Sequence, residues 1–413
     1  MNNVLGIIAE YNPFHNGHLY HLNEAKRITN SEYSVAIMSG NFTQRGDVSL
    51  IDKWSKTKMA LAGGIDLVIE LPVLYAVSSA ENFADGAIKI LNSLNVIDYI
   101  AFGSECGDIT VLDDVADVLI KEPKDYKTLL SHELSKGVSF PKARENALMM
   151  YLNDVRRFAN ILSHPNNILG IEYLKALRKR ESFIRPITIK RKDANHSDSI
   201  FSSSSRYASG SSIRSFCNSP DITDLQRVIP EFSYNLLEEN FKKGNIVKSI
   251  SNFDKEIIYT LRKMSIQEIS ELPDVSEGLE YSLKNAANSC NSIIELLNLL
   301  DSKRYTKTRI QRILLYALLQ IYKRDMQISK SVNNPYIRIL GFNSKGREIL
   351  SEISKRNPKL NLVTSVKKFF DDAPSKNQKL MLEKDIWASN VYTLSFEYES
   401  KANLDFTEKL ITI

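Results

Sequence analysis

The chain of 413 residues is 43% hydrophobic and 25% charged, the composition of an ordinary globular protein with room for two or three domains. No signal peptide or bilayer-spanning apolar run is recognisable, and three scattered cysteines suggest neither a disulfide framework nor a zinc knot, so we expect a cytoplasmic protein. The net charge of +5 permits nucleic-acid binding but does not demonstrate it.

The first predicted element is a buried strand at residues 4–9, which runs directly into Glu10-Tyr11-Asn12-Pro13-Phe14-His15-Asn16-Gly17-His18. A helix is predicted to follow from residue 19 to 28. This order of strand, tight turn with H-x-G-H, and helix resembles the ATP site of the H-x-G-H nucleotidyltransferases. The motif therefore predicts attack on the α-phosphate of a nucleotide with loss of pyrophosphate.

The spacing within the motif has a physical reason. Amide groups at a helix N-terminus are unpaired and attract phosphate, and Gly17 lets the backbone come close to a triphosphate. His15 and His18 can point at the same oxygens and stabilise the negative charge that builds up there, most strongly when doubly protonated. We predict that both histidines are catalytic. The alternative is that they are surface or capping residues.

Strands and helices alternate through the first half of the chain. Further strands are predicted at 34–38, 66–71, 99–102 and 187–190, and helices at 80–94, 111–121, 124–136 and 142–151. This alternation predicts a doubly wound, Rossmann-like parallel sheet that binds its ligand at the carboxyl ends of the strands. Since the motif turn and the loops at 39–41 and 103–105 all follow strands, we expect them to meet at one crevice.

Serine dominates residues 197–215, which is typical of a flexible linker. The end of this stretch, Ser209-Gly210-Ser211-Ser212-Ile213-Arg214, also resembles a motif that opens a helix in many H-x-G-H nucleotidyltransferases. That motif contacts the β- and γ-phosphates. We therefore predict that Ser212 and Arg214 belong to the ATP site, with the linker as the alternative.

The second half of the chain has a different texture. Helical periodicity covers residues 222–242, 253–265, 274–300 and 306–326, and a small mixed piece follows at 336–342, through 353, and at 361–364. We predict an α/β nucleotidyltransferase domain at residues 1–218. A mostly helical C-terminal domain with a small mixed α/β piece is predicted at residues 219–413.

Stretches along nearly the whole chain resemble the bacterial tRNA(Met) cytidine acetate ligase family. The most specific is the run from Ile7 to His18, and the others lie at residues 38–46, 64–72, 102–105, 165–174 and 304–312. The resemblance implies activation of acetate with ATP, giving acetyl-adenylate and pyrophosphate. It further implies transfer of the acetyl group to N4 of the wobble cytidine in elongator tRNA(Met), and it implies no membrane partner.

The resemblance also implies an ATP site, with Mg²⁺ expected to accompany the nucleotide although no dedicated metal-ligand cluster is visible. Either asparagine of the 166–167 pair could make the contact. The pattern after Arg191 departs from the family, so no role is assigned to His196. The predicted ATP-binding residues are Ile7, Ile8, Ala9, Glu10, Tyr11, Asn12, Pro13, Phe14, His15, Asn16, Gly17, His18, Leu19, Tyr20, Gly103, Asn166, Asn167, Arg191, Ser212 and Arg214.

Two basic clusters could contact the phosphate backbone of RNA, although a charge run is usually a solvated helix face. The resemblance favours RNA contact for both of them and implies that the domain at residues 219–413 contributes to tRNA binding. The candidate RNA-binding residues are Arg156, Arg157, Lys303, Arg304, Lys307, Arg309 and Arg312.

Four further residues have open roles. Arg45 and Asp47 could orient a substrate carboxylate or a phosphate, or form a surface pair. Glu105 could hold a ribose hydroxyl or a metal, or lie at a helix N-terminus. For Glu10 the sequence favours holding the motif turn or a ligand hydroxyl over acting as a base.

Two rival functions stay open at this point. One is an adenylyltransferase that joins AMP to a phosphorylated small molecule in coenzyme biosynthesis, against which the long helical half argues. The other is a non-catalytic RNA-binding module on a nucleotidyltransferase scaffold, against which the intact H-x-G-H argues.

Overall fold

The computed structural model describes residues 3–192, 206–301, 305–372 and 374–413. Its strands are β1 Val4–Ala9, β2 Tyr33–Ser39, β3 Leu67–Leu71, β4 Tyr99–Ser104, β5 Arg185–Lys190, β6 Ile337–Phe342, β7 Leu362–Val363 and β8 Ile411–Thr412. They form one sheet in the order β5-β4-β1-β2-β3-β6-β7, and β8 also pairs with β6. The first five strands pair with one another in parallel, which confirms the predicted doubly wound sheet.

Helices before the serine-rich segment connect and cover these strands. Their bounds are α1 Asn16–Thr29, α2 Lys53–Ala62, α3 Val73–Ala76, α4 Ala80–Leu94, α5 Ile109–Lys121, α6 Lys124–Ser135, α7 Phe140–Leu152, α8 Val155–Phe158 and α9 Pro165–Lys179. Caps fix several of the ends. In α4, the Ser79 side chain accepts a hydrogen bond from the Asn82 N–H, and Asn95 ends the helix in the left-handed conformation.

The second half of the described chain is mostly helical. Its helices are α10 Gly210–Phe216, α11 Glu231–Lys242, α12 Asp254–Lys263, α13 Ile266–Ser270, α14 Leu279–Ser289, α15 Ile293–Leu299, α16 Lys307–Leu319, α17 Lys323–Ser331, α18 Ser344–Arg356, α19 Val366–Asp371, α20 Lys376–Tyr392 and α21 Leu404–Thr407. No helix in the described part of the chain is both long and apolar enough to cross a membrane.

Alternate residues of each central strand enter different hydrophobic clusters. Val35 and Ile37 of β2 pack in one cluster with residues of α4 and α9, whereas Ala36 and Met38 pack in the other with residues of α1 and α2. Because successive side chains of a strand point to opposite faces, the sheet is buried on both sides. The described loops at its carboxyl edge are therefore the part of the fold that can open toward a ligand.

The C-terminal segment returns to this sheet. Strand β6 pairs antiparallel with β3, with Leu67 opposite Phe342 and Ile69 opposite Ile339. The sequence had assigned residues 336–342 to a small mixed piece of the C-terminal domain, whereas they extend the sheet of the N-terminal half. A division of the chain at residue 218 stays a prediction.

Candidate active site

A cleft of about 310 Å³ opens at the carboxyl ends of β1, β4 and β5. The turn after β1, the end of β4 and the residues after β5 form its floor, and helices α1, α4 and α9 contribute walls. The predicted site residues that line it are Ile7, Ile8, Ala9, Glu10, Tyr11, Asn12, His15, Gly17, His18, Tyr20, Gly103, Asn166, Arg191 and Arg214.

The two histidines of the motif form a capping box at the start of α1. The His15 Nδ1 accepts a hydrogen bond from the Gly17 N–H at 3.0 Å, and the His18 Nδ1 accepts one from the His15 N–H at 3.2 Å. Their rings stack with centroids 3.7 Å apart. Both histidines therefore cap the helix and also line the cleft, and their catalytic role stays a prediction.

The same hydrogen bonds fix the proton positions on the rings. An Nδ1 atom that accepts a hydrogen bond carries no proton, so in each ring the proton lies on Nε2. Burial lowers the pKa of His18 well below its usual range, and positive charge on His15, Arg191 or His21 would lower it further. The structure thus provides neutral Nε2–H donors, not the doubly protonated rings that would stabilise the charge most strongly.

Six of the predicted ATP-binding residues do not line the cleft. Pro13 follows Asn12 in the motif turn, Phe14 is fully buried in the core, and Asn16 donates hydrogen bonds from Nδ2 to the carbonyls of Arg206 and Arg227. Asn167 and Ser212 form hydrogen bonds beside the cleft. Asn167 accepts from the N–H groups of Glu105 and Cys106, and the Ser212 N–H donates to the Ser209 side chain. The remaining one, Leu19, packs against the core cluster beneath the sheet.

Glu105 organises the N-terminus of α9. Its carboxylate accepts hydrogen bonds from the Asn166 Nδ2 at 2.6 Å and from the Asn167 N–H at 2.9 Å. The Asn167 Oδ1 in turn accepts from the backbone N–H groups of Glu105 and Cys106. Asn167 is therefore occupied in the core of this turn, whereas Asn166 lines the cleft. Of the two readings of Glu105, the structure shows the helix N-terminal carboxylate.

The serine motif borders the opposite wall of the cleft. Ser209 caps α10, since its Oγ accepts a hydrogen bond from the Ser212 N–H at 3.1 Å. Arg214 donates from Nη1 to the Asn12 carbonyl at 2.9 Å, and burial lowers its pKa. This contact brings the motif against the H-x-G-H turn. The part of the serine-rich stretch before residue 206, with His196, lies outside the described residues.

The loop after β2 is held from below by Lys56, which is fully buried. Its ammonium donates to the carbonyls of Glu10, Ser39 and Gly40 and to the Ser49 Oγ, at 2.6 to 3.0 Å. Burial lowers the pKa of Lys56 to about 7. Residues 39–41 do not line the cleft as predicted, because they wrap around the Lys56 ammonium. Residues 44–45 of the same loop line it instead.

Gln44 and Arg45 project from this loop toward the cleft. The Gln44 N–H donates to the Glu10 Oε1 at 2.8 Å, and its Nε2 donates to the Ser78 carbonyl at 3.0 Å. Arg45 is exposed at the cleft mouth. Asp47 turns away, since its Oδ1 accepts from the N–H groups of Val48 and Ile250. The two residues that the sequence grouped therefore have separate roles.

Some of the candidate RNA-binding residues are exposed to solvent, and others form bonds to groups of the protein itself. Arg309 donates to the Asp274 carbonyl and the Ser276 Oγ, and Arg312 pairs with the Asp274 carboxylate at 3.1 Å. Arg157 pairs with Asp114 at 3.1 Å. Arg156 and Lys307 are exposed, whereas Lys303 and Arg304 lie outside the described residues. An RNA contact for any of them stays a prediction.

Several residues of the cleft carry chemistry that the sequence reading missed. His21 lies one helical turn after His18, and its Nε2 is buried without a hydrogen-bond partner among the described residues. Burial lowers the pKa of His21 to about 4. Tyr173, two helical turns after Asn166, is 2% exposed and lines the cleft. Helical spacing from a predicted residue would have found both of them. The other cleft residues that were not predicted as site residues are Gln44, Ala80, Phe83, Phe102, Pro165, Leu169, Ile189, Lys190, Lys192, Ser209, Gly210 and Ser211.

Acidic groups are scarce at this site. Among the described residues, no group of three His, Cys, Asp or Glu side chains could hold a metal ion, and Glu10 is the one acid that lines the cleft. Lysine and arginine side chains come from β5, the segment after it and α10. The described cleft is therefore suited to a polyanion.

Comparison with known proteins finds a family and relatives that match this chain over nearly its full length. A family model described as HIGH Nucleotidyl Transferase matches residues 1–406. The tRNA(Met) cytidine acetate ligase of Thermoanaerobacter sp. (strain X514) is 46% identical over 411 residues, covering 99% of this chain and 100% of that protein. The enzyme of the same name from Acetivibrio thermocellus is 43% identical over 416 residues, covering 99% of both.

A solved structure is similar in fold as well. The crystal structure of Thermotoga maritima TmcAL bound with alpha-thio ATP has a TM-score of 0.91 and 33% sequence identity, with 100% of this chain and 99% of that chain covered. The apo form of the same protein has a TM-score of 0.92 and 35% identity.

Proposed function

This chain belongs to the HIGH nucleotidyl transferase family, and from that membership we propose that it is an ATP-dependent tRNA(Met) cytidine acetate ligase. The observation that carries the proposal is the full-length likeness to ligases of that name, together with an intact H-x-G-H turn that opens into a cationic cleft. A cytoplasmic location is part of the proposal, since tRNA is the acceptor.

In the first step, a carboxylate oxygen of acetate attacks the α-phosphorus of ATP. The bond to the bridging oxygen breaks, and pyrophosphate leaves with the electron pair. The Nε2–H groups of His15 and His18 donate to the phosphate oxygens on which negative charge increases. Arg214 and the basic residues after β5 add positive charge, and no nucleophilic side chain is required because positioning and charge stabilisation account for such displacements.

The proposal includes Mg²⁺, which ATP carries as its usual companion. The described cleft offers it no acidic cluster, so phosphate oxygens and water would supply its ligands, as is common for this ion. When bound, it would neutralise charge on the departing pyrophosphate. The protein's own contribution is to hold the triphosphate in line with the incoming carboxylate.

In the second step, the exocyclic amine of the wobble cytidine attacks the carbonyl carbon of acetyl-adenylate, and AMP leaves. A base that is to be modified must be unstacked to enter a cleft, and single-stranded anticodon bases meet this condition more readily than paired ones.

The test is to incubate the purified chain with ATP, Mg²⁺, acetate and total bacterial tRNA, and to analyse the nucleosides by mass. We expect one acetylated cytidine that requires both ATP and acetate, and acetate-dependent exchange of pyrophosphate into ATP without tRNA. Consumption of a phosphate ester with no effect of tRNA would favour the small-molecule adenylyltransferase. Binding of tRNA without ATP consumption would favour the non-catalytic module.

A further inference from the structure

The cleft has two sides, separated by β1. One side lies over β4 and β5 and contains Gly103, Arg191 and the lysines that flank Arg191. The other side lies toward β2 and α4 and contains Gln44, Arg45 and Phe83. Since nucleotides in such sheets bind where the strand order reverses, here between β1 and β4, the first side suits ATP. The second side is left for the groups that react with the nucleotide.

The second side also faces the helical half of the chain. Gly46, two residues beyond Gln44, packs so closely on α16 that an added Cβ would overlap the Arg312 nitrogen and lie 2.8 Å from the Gln311 Cβ. Helix α16 carries three of the candidate RNA-binding residues, Lys307, Arg309 and Arg312. An RNA held there would approach the cleft from the side of the β2 loop.

Glu10 lies between the two sides. It is half-buried at the end of β1, and its Oε1 accepts one hydrogen bond, from the Gln44 N–H at 2.8 Å. A carboxylate has two oxygens with about four acceptor sites, so this bond leaves most of its acceptor capacity for a ligand. Lys56 holds the Glu10 carbonyl at 3.0 Å, which fixes the backbone that carries the side chain.

The other polar groups of the described cleft are poorly suited to accept a proton. The Nδ1 atoms of His15 and His18 are occupied by backbone N–H groups, and their Nε2 atoms carry the protons. His21 has an unprotonated Nε2, but its ring lies on the nucleotide side, with Cδ2 3.9 Å from a Cβ built on Gly103. The remaining ionisable groups there are arginine, lysine and tyrosine side chains.

Acetyl transfer to an aromatic amine needs such an acceptor. The N4 amine of cytidine is a weak nucleophile, and it must lose a proton as its bond to the acetyl carbon forms. We propose that Glu10 is the general base of the second step. The N4 lone pair forms the new C–N bond, the C–O bond to AMP breaks with its electrons going to the AMP phosphate, and the N4 proton moves to the Glu10 carboxylate.

This inference rests on the proposed function and changes the assignment of one residue. The sequence alone favoured a holding role for Glu10. The hydrogen bond to Gln44 shows that the carboxylate also holds the β2 loop, so a test must keep that bond. Glu10→Gln does so, because the amide oxygen of glutamine still accepts from the Gln44 N–H while a neutral amide cannot take a proton.

The experiment measures the two half-reactions separately for the wild type and Glu10→Gln. The first is acetate-dependent pyrophosphate exchange without tRNA. The second is a single turnover of acetyl transfer to tRNA transcript by enzyme preloaded with ATP and acetate. We expect transfer to fall about 100-fold or more beyond any fall in exchange, which is the size of general-base effects. The residual transfer rate should also rise with pH as hydroxide replaces the lost base.

Three outcomes would overturn the assignment. Acetyl transfer by Glu10→Gln at the wild-type rate would show that Glu10 only anchors the β2 loop. An equal fall in exchange and transfer would make it a ligand of the nucleotide or of its Mg²⁺. A fall in transfer that is removed by raising the tRNA concentration would make it an RNA contact. Failure of the proposed function is a different result, because the wild type itself would then show no acetate-dependent exchange.

Discussion

His15 and His18 each use Nδ1 to cap α1, so the helix start and the orientation of the Nε2 donors depend on the same two rings. The packing of Tyr11 and Phe14 against His18, with ring centroids 5.0 and 5.6 Å away, restricts the ring further. A donor that is held before the substrate arrives does not need to reorganise during the reaction. The catalytic roles of both histidines remain predictions.

The buried histidines give the protein a predicted pH dependence. The pKa of His21 is about 4 in the folded chain, against an ordinary value of about 6.5. Between these values the unfolded chain binds more protons, so the free energy of unfolding falls as the pH falls from 6.5 toward 4. Urea unfolding across this range should show that slope, and it should be shallower in His21→Gln.

His132 provides the control for this measurement. It lies exposed on α6. His132→Gln should keep the wild-type slope. If His21→Gln also keeps it, the proton uptake on unfolding comes from other groups.

At the scale of elements, the contact of the β2 loop with α16 depends on Gly46. Its φ of +78° lies in the left-handed region, and no room exists for a Cβ beside the backbone of α16. The loop that carries Gln44 and Arg45 is therefore set against the helix that carries three of the candidate RNA-binding residues, Lys307, Arg309 and Arg312. Helix packing and cleft shape are coupled at this one residue.

Gly46→Ala should lower the free energy of unfolding by about 2–4 kcal/mol, since it combines backbone strain with overpacking. The matched control is Gly137→Ala, which has a φ of +76° and nothing within 4 Å of the added Cβ. Backbone strain alone should cost it about 1 kcal/mol. Equal losses in urea unfolding would show that the contact with α16 contributes nothing measurable.

The position of an element could be predicted from the sequence where hydrophobic periodicity or a helix cap alone determines it. The strands at residues 4–9 and 99–102 and the helix at 80–94 are present because apolar runs and helical periodicity are local properties. The helix predicted at 306–326 is in fact two, α16 and α17, separated at Gln320, which is left-handed with a φ of +53°. Apolar residues on both sides of that break hide it from a periodicity argument.

For the whole molecule, a buried ion cluster joins distant parts of the chain. Lys53 of α2 is fully buried and donates to both oxygens of Glu70 at 2.9 Å and to the Asp405 Oδ1 at 2.8 Å. Arg338 of β6 approaches the same aspartate at 3.7 Å. The cluster lies beside the β3–β6 contact and holds α21 onto the sheet. No sequence pattern could indicate it, because the partners are far apart along the chain and each looks like a surface charge.

Asp405→Ala should lower the free energy of unfolding by about 3–5 kcal/mol, because it leaves two buried cations, Lys53 and Arg338, with Glu70 as the one carboxylate of the cluster. The matched control is Glu399→Ala, which removes the exposed pair with Lys401 and should change stability by less than about 1 kcal/mol. Urea unfolding of both variants measures the difference. A loss below 1 kcal/mol for Asp405→Ala would mean that water or Glu70 compensates for the missing carboxylate.

The position of Asp405 also has a consequence for how the protein is made. Lys53 and Asp405 are separated by 352 residues, and ribosomes add about 5–20 residues per second, so Lys53 leaves the ribosome roughly 20 to 70 seconds before its partner is synthesised. Strands β6 and β8 arrive similarly late. Until then, the nascent nucleotide-binding half has an unpaired edge at β3 and, beneath it, an ammonium that lacks one of its two carboxylate partners. Chaperones that cover exposed strand edges would therefore be expected to meet this chain during translation.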